Sequence, residues 1–126
     1  MNTKVKYLFI FISLLITSTS HAQKTSQNES CDTSFYVPKS FCPDCDGIND
    51  VFIAIFGCEP VLFKMEIYDR WGELIFETKD FNRGWDGAIK KTGMKAKTDD
   101  YFWRINYYYK IDAKKYVKTG QVALIR

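Results

Sequence analysis

The chain has one histidine, His21, and its first 22 residues read as a removable leader. Without that leader there is no imidazole at all. Ser–His and Cys–His nucleophile pairs and most zinc-water mechanisms are therefore excluded, since each needs a histidine to move a proton or hold the metal. A long apolar run is also missing. The longest, residues 8–16, is about half of the ~20 residues that a bilayer-spanning helix needs. Charge of one sign is not in excess either, with 18 Lys+Arg against 15 Asp+Glu. No basic stripe marks a nucleic-acid partner. Finally, no segment holds a helical period, so a bundle or an α/β fold is not expected.

At the start, Lys4 and Lys6 precede the apolar run, and Ser20-His21-Ala22 offers small residues at the two positions that a signal peptidase reads. Residues 1–22 are expected to be a secretory signal peptide. No cysteine follows the expected cut, so lipid attachment is not expected there. Losing the two lysines leaves 16 cationic against 15 anionic side chains, a net charge of +1. Residues 23–33 are polar and aperiodic and read as a disordered leader. Residues 34–126 are then one small domain, rich in aromatic side chains whose burial compensates for its size.

Period-two alternation dominates that domain. In "LFKMEIYD", Phe63, Met65 and Ile67 alternate with Lys64, Glu66 and Tyr68, as a half-buried strand does. "RWGE" is a turn, and "LIFET" returns with Leu74 and Phe76 on one face, making a hairpin. "YFWRINYYYKI" puts Tyr101, Trp103, Ile105 and Tyr107 on one face. After a turn at residues 112–115, "YVKTGQVALIR" keeps Tyr116, Val122 and Leu124 in phase. "FYVP" and "VFIAIF" are shorter strands, and "NRGWDG" is a structured corner. The expectation is an all-β fold, a small immunoglobulin-like antiparallel β-sandwich of about seven strands, because each one-sided strand must bury its apolar face. A small barrel is the alternative.

The loop "SFCPDCDGINDVF", residues 40–52, raises the one question of chemistry. Outside the cytoplasm an even set of cysteines reads as disulfides. Of the three pairings open to Cys31, Cys42, Cys45 and Cys58, Cys31–Cys58 with Cys42–Cys45 is favoured. A catalytic C-x-x-C centre wants a helix to lower a thiol pKa. Here Asp46-Gly47 is a turn signal, and Asp44 and Asp46 add negative charge. Zinc wants two close cysteine pairs, and only one is close. Asp44, Asp46, Asn49 and Asp50 supply hard oxygens for calcium, but in no EF-hand order; an Asx-type turn is the plainer reading. The expected cofactor set is thus none, with calcium as the alternative.

The series "FYVPKSFCPDCDGINDVF", "FKMEIYDRWGELIFET", "RGWDG" and "KTGQVALIR", in that order, resembles the gliding motility-associated C-terminal domain, the type B sorting domain of the type IX secretion system. The resemblance covers residues 35–126 and implies an immunoglobulin-like sandwich that the secretion machinery uses to carry exported proteins across the outer membrane. It departs in three respects. The leader runs almost directly into the domain, with no cargo between. Cys42, Asp44 and Cys45 replace the middle of the usual F-T-P-N-G-D-G loop. Asp100 stands where a glycine commonly precedes the tyrosine, so the turn expected there must use another conformation.

The resulting reading is a non-catalytic exported domain, recognised by the type IX machinery or by cell-surface components, with no nucleic-acid partner and no membrane span after leader removal. It passes through the periplasm and ends outside the cell or on its outer surface. Lys118, Val122, Leu124 and Arg126 are the sorting-strand candidates. Arg70, Trp71, Gly72, Trp85, Asp86 and Gly87 form the structural motif, with both tryptophans expected to cap the core and Arg70 placed to pair with Asp86. The competing reading is a free-standing surface module that binds a glycan or a protein, using Trp71 or Trp85 as a platform.

Overall fold

The computed structural model describes residues 31–44 and 47–126. The expected signal peptide, residues 23–30, and the loop residues Cys45 and Asp46 lie outside the described residues. Strands β1 (Phe35–Tyr36), β2 (Ser40–Phe41), β3 (Ile55–Phe56), β4 (Leu62–Tyr68), β5 (Leu74–Thr78), β6 (Asp99–Tyr109) and β7 (Lys114–Leu124) follow in that order. They form a five-stranded sheet, β2-β7-β6-β4-β5, and a two-stranded sheet, β1-β3. Two facing sheets make this a small all-β sandwich and not a closed barrel.

One ladder departs from the antiparallel expectation. β2 runs parallel to β7, pairing Ser40 with Ala123 and Phe41 with Leu124. Tight hairpins impose antiparallel pairing, whereas parallel strands need a long connection. Nearly the whole domain separates β2 from β7, so no hairpin sets their direction.

The alternation read in the long strands sets the core. Tyr101, Trp103, Ile105, Tyr107 and Tyr109 of β6 are buried, as are Phe63, Met65 and Ile67 of β4, and Val122 and Leu124 of β7. Each buried large side chain contributes roughly 1.5–3 kcal/mol relative to exposure. Rings dominate the packing. Tyr107 stacks on Phe35 of the small sheet at 5.4 Å and on Tyr116 at 5.0 Å. Gly120 is required by contact: a Cβ there would lie 2.5 Å from Cζ2 of Trp103, its partner across the ladder.

Three local expectations are corrected. β5 carries a bulge, so Phe76 opposes Ile67 while Leu74 opposes Tyr68. The extra residue, Ile75, shifts the side-chain phase, and Leu74 and Phe76 lie on opposite faces. The β6–β7 turn is residues 110–113, with Lys114 already paired to Tyr109. Asp112 Oδ1 accepts the Lys114 amide at 3.0 Å, and Ala113 takes a left-handed φ of 53°. Asp100 is in no turn: it pairs with Ala123 inside β6, so no left-handed backbone is needed there.

Candidate functional site

The acidic loop meets the last residues of the described chain. β7 ends at Leu124, and the Ile125 amide donates to Phe41 O at 3.0 Å. That bond carries Arg126 across the β2 edge, where its side chain joins three segments. Nε donates to Ala96 O at 3.1 Å, Nη2 donates to Gly87 O at 3.2 Å, and Nη1 pairs with Asp44 Oδ2. Lys95 Nζ reaches the other Asp44 oxygen at 3.0 Å. The Arg126 hydrogen bond, and then Lys95, hold the Asp44 carboxyl below the usual range. Gly87, with φ 80°, leaves the room for this clamp, since a Cβ there would sit 2.9 Å from Arg126 Nη2 and 3.0 Å from Pro43 Cγ.

The corner before the clamp is built on Trp85. Its ring is fully buried, 4.9 Å from Tyr101 and 5.2 Å from Phe41. Trp85 Nε1 donates to Ala88 O at 2.9 Å, and the backbones of Phe52 and Trp85 exchange two hydrogen bonds. Asp86 Oδ1 accepts the Ala88 amide at 3.0 Å. Asp86 therefore closes its own turn and does not meet Arg70, which pairs instead with Asp99. The Arg70 hydrogen bond holds the Asp99 carboxyl below its ordinary range.

β7 pairs with β6 along its whole length, but with β2 only at Ala123 and Leu124. Residues 114–122 thus form a sheet edge that no described strand covers. Lys114, Lys115 and Lys118 stand exposed along it, as charged edge residues do where unwanted pairing must be resisted.

A family model described as the CHU_C Type IX secretion signal domain matches residues 35–124, from the first residue of β1 to the last of β7. The chain belongs to this family. Among curated proteins nothing matches. Of solved structures, one is PorZ, an essential bacterial surface component of the type-IX secretion system of Porphyromonas gingivalis. It has 20% identity and a TM-score of 0.47 over 80% of this chain and 13% of that one. Another is CopC from Methylosinus trichosporium OB3b, with 13% identity and a TM-score of 0.46 over 72% of this chain and 93% of that one. This chain spans only a small part of the length of PorZ.

One disulfide of this secretion signal domain staples its small sheet. Cys31 and Cys58 form a disulfide with Cα atoms 5.7 Å apart, beside the β1–β3 ladder. Cys42 is also disulfide-bonded, and its expected partner, Cys45, lies outside the described residues. Of the calcium candidates, Asp44 faces two cations. Asn49 takes a left-handed φ of 56°, and its carbonyl accepts the Cys42 amide at 2.8 Å. Asp50 Oδ1 is buried without a partner among the described residues, and Asp46 lies outside them. No cluster of three acidic, cysteine or histidine side chains suited to a metal occurs among the described residues.

Trp71 reverses its expected role. It sits at the tip of the β4–β5 hairpin and is 86% exposed, so it caps nothing. Asp69 Oδ1 accepts the amides of Trp71 and Glu73 at 2.9 and 2.8 Å, and Gly72 takes a φ of 81°. Composition alone could not separate this tryptophan from Trp85, since each stands beside a glycine. A signal lies in the turn itself: "DRWGE" puts an Asx cap two residues before the indole, which places that tryptophan within a hairpin tip.

Proposed function

We propose that this domain is a folded export signal that works without catalysis. The type IX machinery recognises its surface, including the open β7 edge with Lys118 and the Arg126 clamp, and carries it across the outer membrane. Residues 1–22 would first direct it to the periplasm. The product then stays on the outer surface or enters the medium, and a role in gliding motility belongs to the same proposal. The carrying observation is the family match over residues 35–124, which spans every described strand. β7 shares its inward side chains with the core, so the signal would be read as a fold and not as a tail.

A fluorescent protein fused ahead of residue 30 tests the reading. It should reach the surface or medium in a strain with the machinery and stop in the periplasm in one without. Deleting residues 118–126 would remove Val122 and Leu124 from the core and confuse unfolding with loss of recognition. The double variant Lys115→Glu, Lys118→Glu alters only exposed edge positions. Export should fall while the melting temperature stays within a few degrees. Wild-type export by that variant would sink the role of the β7 edge. Periplasmic retention of the parent fusion would sink the whole reading.

A further inference from the structure

The hairpin tip at Trp71 and the loop of residues 89–97 enclose an open cleft of about 370 Å³. Ile75, Ala96 and Tyr101 form its floor, and Trp71 and Met94 stand at the lip, 86% and 61% exposed. The geometry points to a carbohydrate-binding site here, with the Trp71 indole as the stacking platform for one neutral sugar ring.

Three features carry this. First, the indole is presented by a fixed turn. Both amides that Asp69 accepts lie within the tip, so little ordering would remain to be lost on binding. Beside the cleft, the exposed indole offers a flat apolar face on which a sugar ring can stack. Second, the cleft wall mixes full acceptors with full donors. The described side-chain hydrogen bonds of Asp69 and of Asp99 all go to Oδ1, leaving each Oδ2 as an acceptor. Arg70 spends only Nη2 on Asp99, and Lys97, also lining the cleft, adds an ammonium. A sugar hydroxyl donates and accepts at once, so neighbouring hydroxyls can satisfy a carboxylate and a cation together. Third, the signs interleave. An acidic peptide would meet Asp69 and Asp99; a basic one would meet Arg70, Lys97 and Lys95, the last already paired with Asp44. Neither finds a complementary field, whereas an uncharged polyol does.

The measurement uses the purified full chain. Trp85 and Trp103 are buried, so a ligand-induced change in tryptophan fluorescence should come from Trp71. Neutral hexasaccharides of glucose, mannose, xylose and N-acetylglucosamine are titrated in turn. At least one should shift the emission, with binding that is insensitive to salt. Trp71→Ala should weaken it by about tenfold or more, and Lys97→Met by a few-fold, with unchanged melting temperatures; Val117→Ala, on the outer sheet face, should leave it intact. Silence from the whole panel would overturn the site, as would wild-type affinity in Trp71→Ala or binding confined to charged sugars. Export of the fluorescent fusion is scored separately, so failure here and failure of the sorting reading are distinguishable.

Discussion

Gly120→Ala tests whether the β6–β7 packing is as tight as the contacts imply. Gly120 is at an inward position of β7, opposite Trp103. An added Cβ would lie 2.5 Å from Cζ2, 2.8 Å from Cε2 and 3.1 Å from Nε1 of that indole. The ring cannot swing aside cheaply. It packs at 6.2 Å from Phe35 and 6.3 Å from Phe52, and its Nε1 donates to Gln121 O at 3.2 Å. Overpacking of this kind costs about 1–3 kcal/mol. Losing the indole hydrogen bond adds roughly 1 kcal/mol. Against this, alanine restricts the unfolded chain and returns about 0.4–1 kcal/mol, since Gly120 has no positive φ to protect. The overpacking wins, by roughly 1–3 kcal/mol. For a domain of this size that is a fall in Tm of about 5–20 °C. Chemical denaturation with an unchanged m-value is the check. Trp103→Leu in the same background should be less costly than in the parent, because the obstructing ring is gone. A Gly120→Ala protein within about 0.5 kcal/mol of the parent, or strict additivity with Trp103→Leu, would refute the reasoning.

Four other outcomes are expected. Replacing Cys31 and Cys58 together by serine should cost roughly 3–4 kcal/mol in the chain-entropy account of a link spanning 27 residues, read by urea denaturation without reductant. Arg126→Met should cost about 1–3 kcal/mol, because two backbone carbonyls lose a cationic donor, with faster amide exchange at Gly87 and Ala96. Asp44, Asp99 and Asp112 have folded pKa values below their ordinary one, so their contribution is complete above the ordinary range and fades as pH falls through the depressed values. Tm should accordingly drop below about pH 5, and Asp44→Asn should flatten that drop. Removing calcium with a chelator should leave Tm within about 1 °C, since two cations already compensate the Asp44 charge.

The long strands were legible because alternation is a local signal. A reader of "FKMEI" or "YFWRINY" needs no knowledge of the partner strand to know which face is buried. The small sheet was less so. "VFIAIF" is apolar throughout, yet only Ile55 and Phe56 enter a ladder, while Phe52 makes a single bridge to Trp85. A continuous apolar run states burial without stating a pairing. The bulge at Ile75 was equally hidden, since one inserted residue changes the phase without leaving a composition mark. The Asp44–Arg126 contact joins residues 82 apart, and nothing local in either segment announces the other. Trp71 is ambiguous for a related reason: a tryptophan beside a glycine is equally consistent with a buried corner and an exposed tip.

The two tryptophans show how this fold divides its labour. Trp85 lies between Phe41 and Tyr101, and so ties the loop before β6 to β2. Arg126 then fastens the same loop to the acidic turn. These contacts gather where β2, β7 and the Trp85 corner converge, at one end of the large sheet. The β4–β5 tip takes little part in them. Its backbone is held by Asp69 and its Arg70 side chain by Asp99, and neither needs the Trp71 ring. A substitution at Trp85 should therefore lower stability and every recognition event together, through the fold. One at Trp71 should leave the fold and alter only what the surface touches. Two variants of one residue type, compared for Tm and for binding, separate the scaffold from the part that meets other molecules. If Trp71→Ala were as destabilising as Trp85→Ala, which should cost about 3–5 kcal/mol, that division would fail.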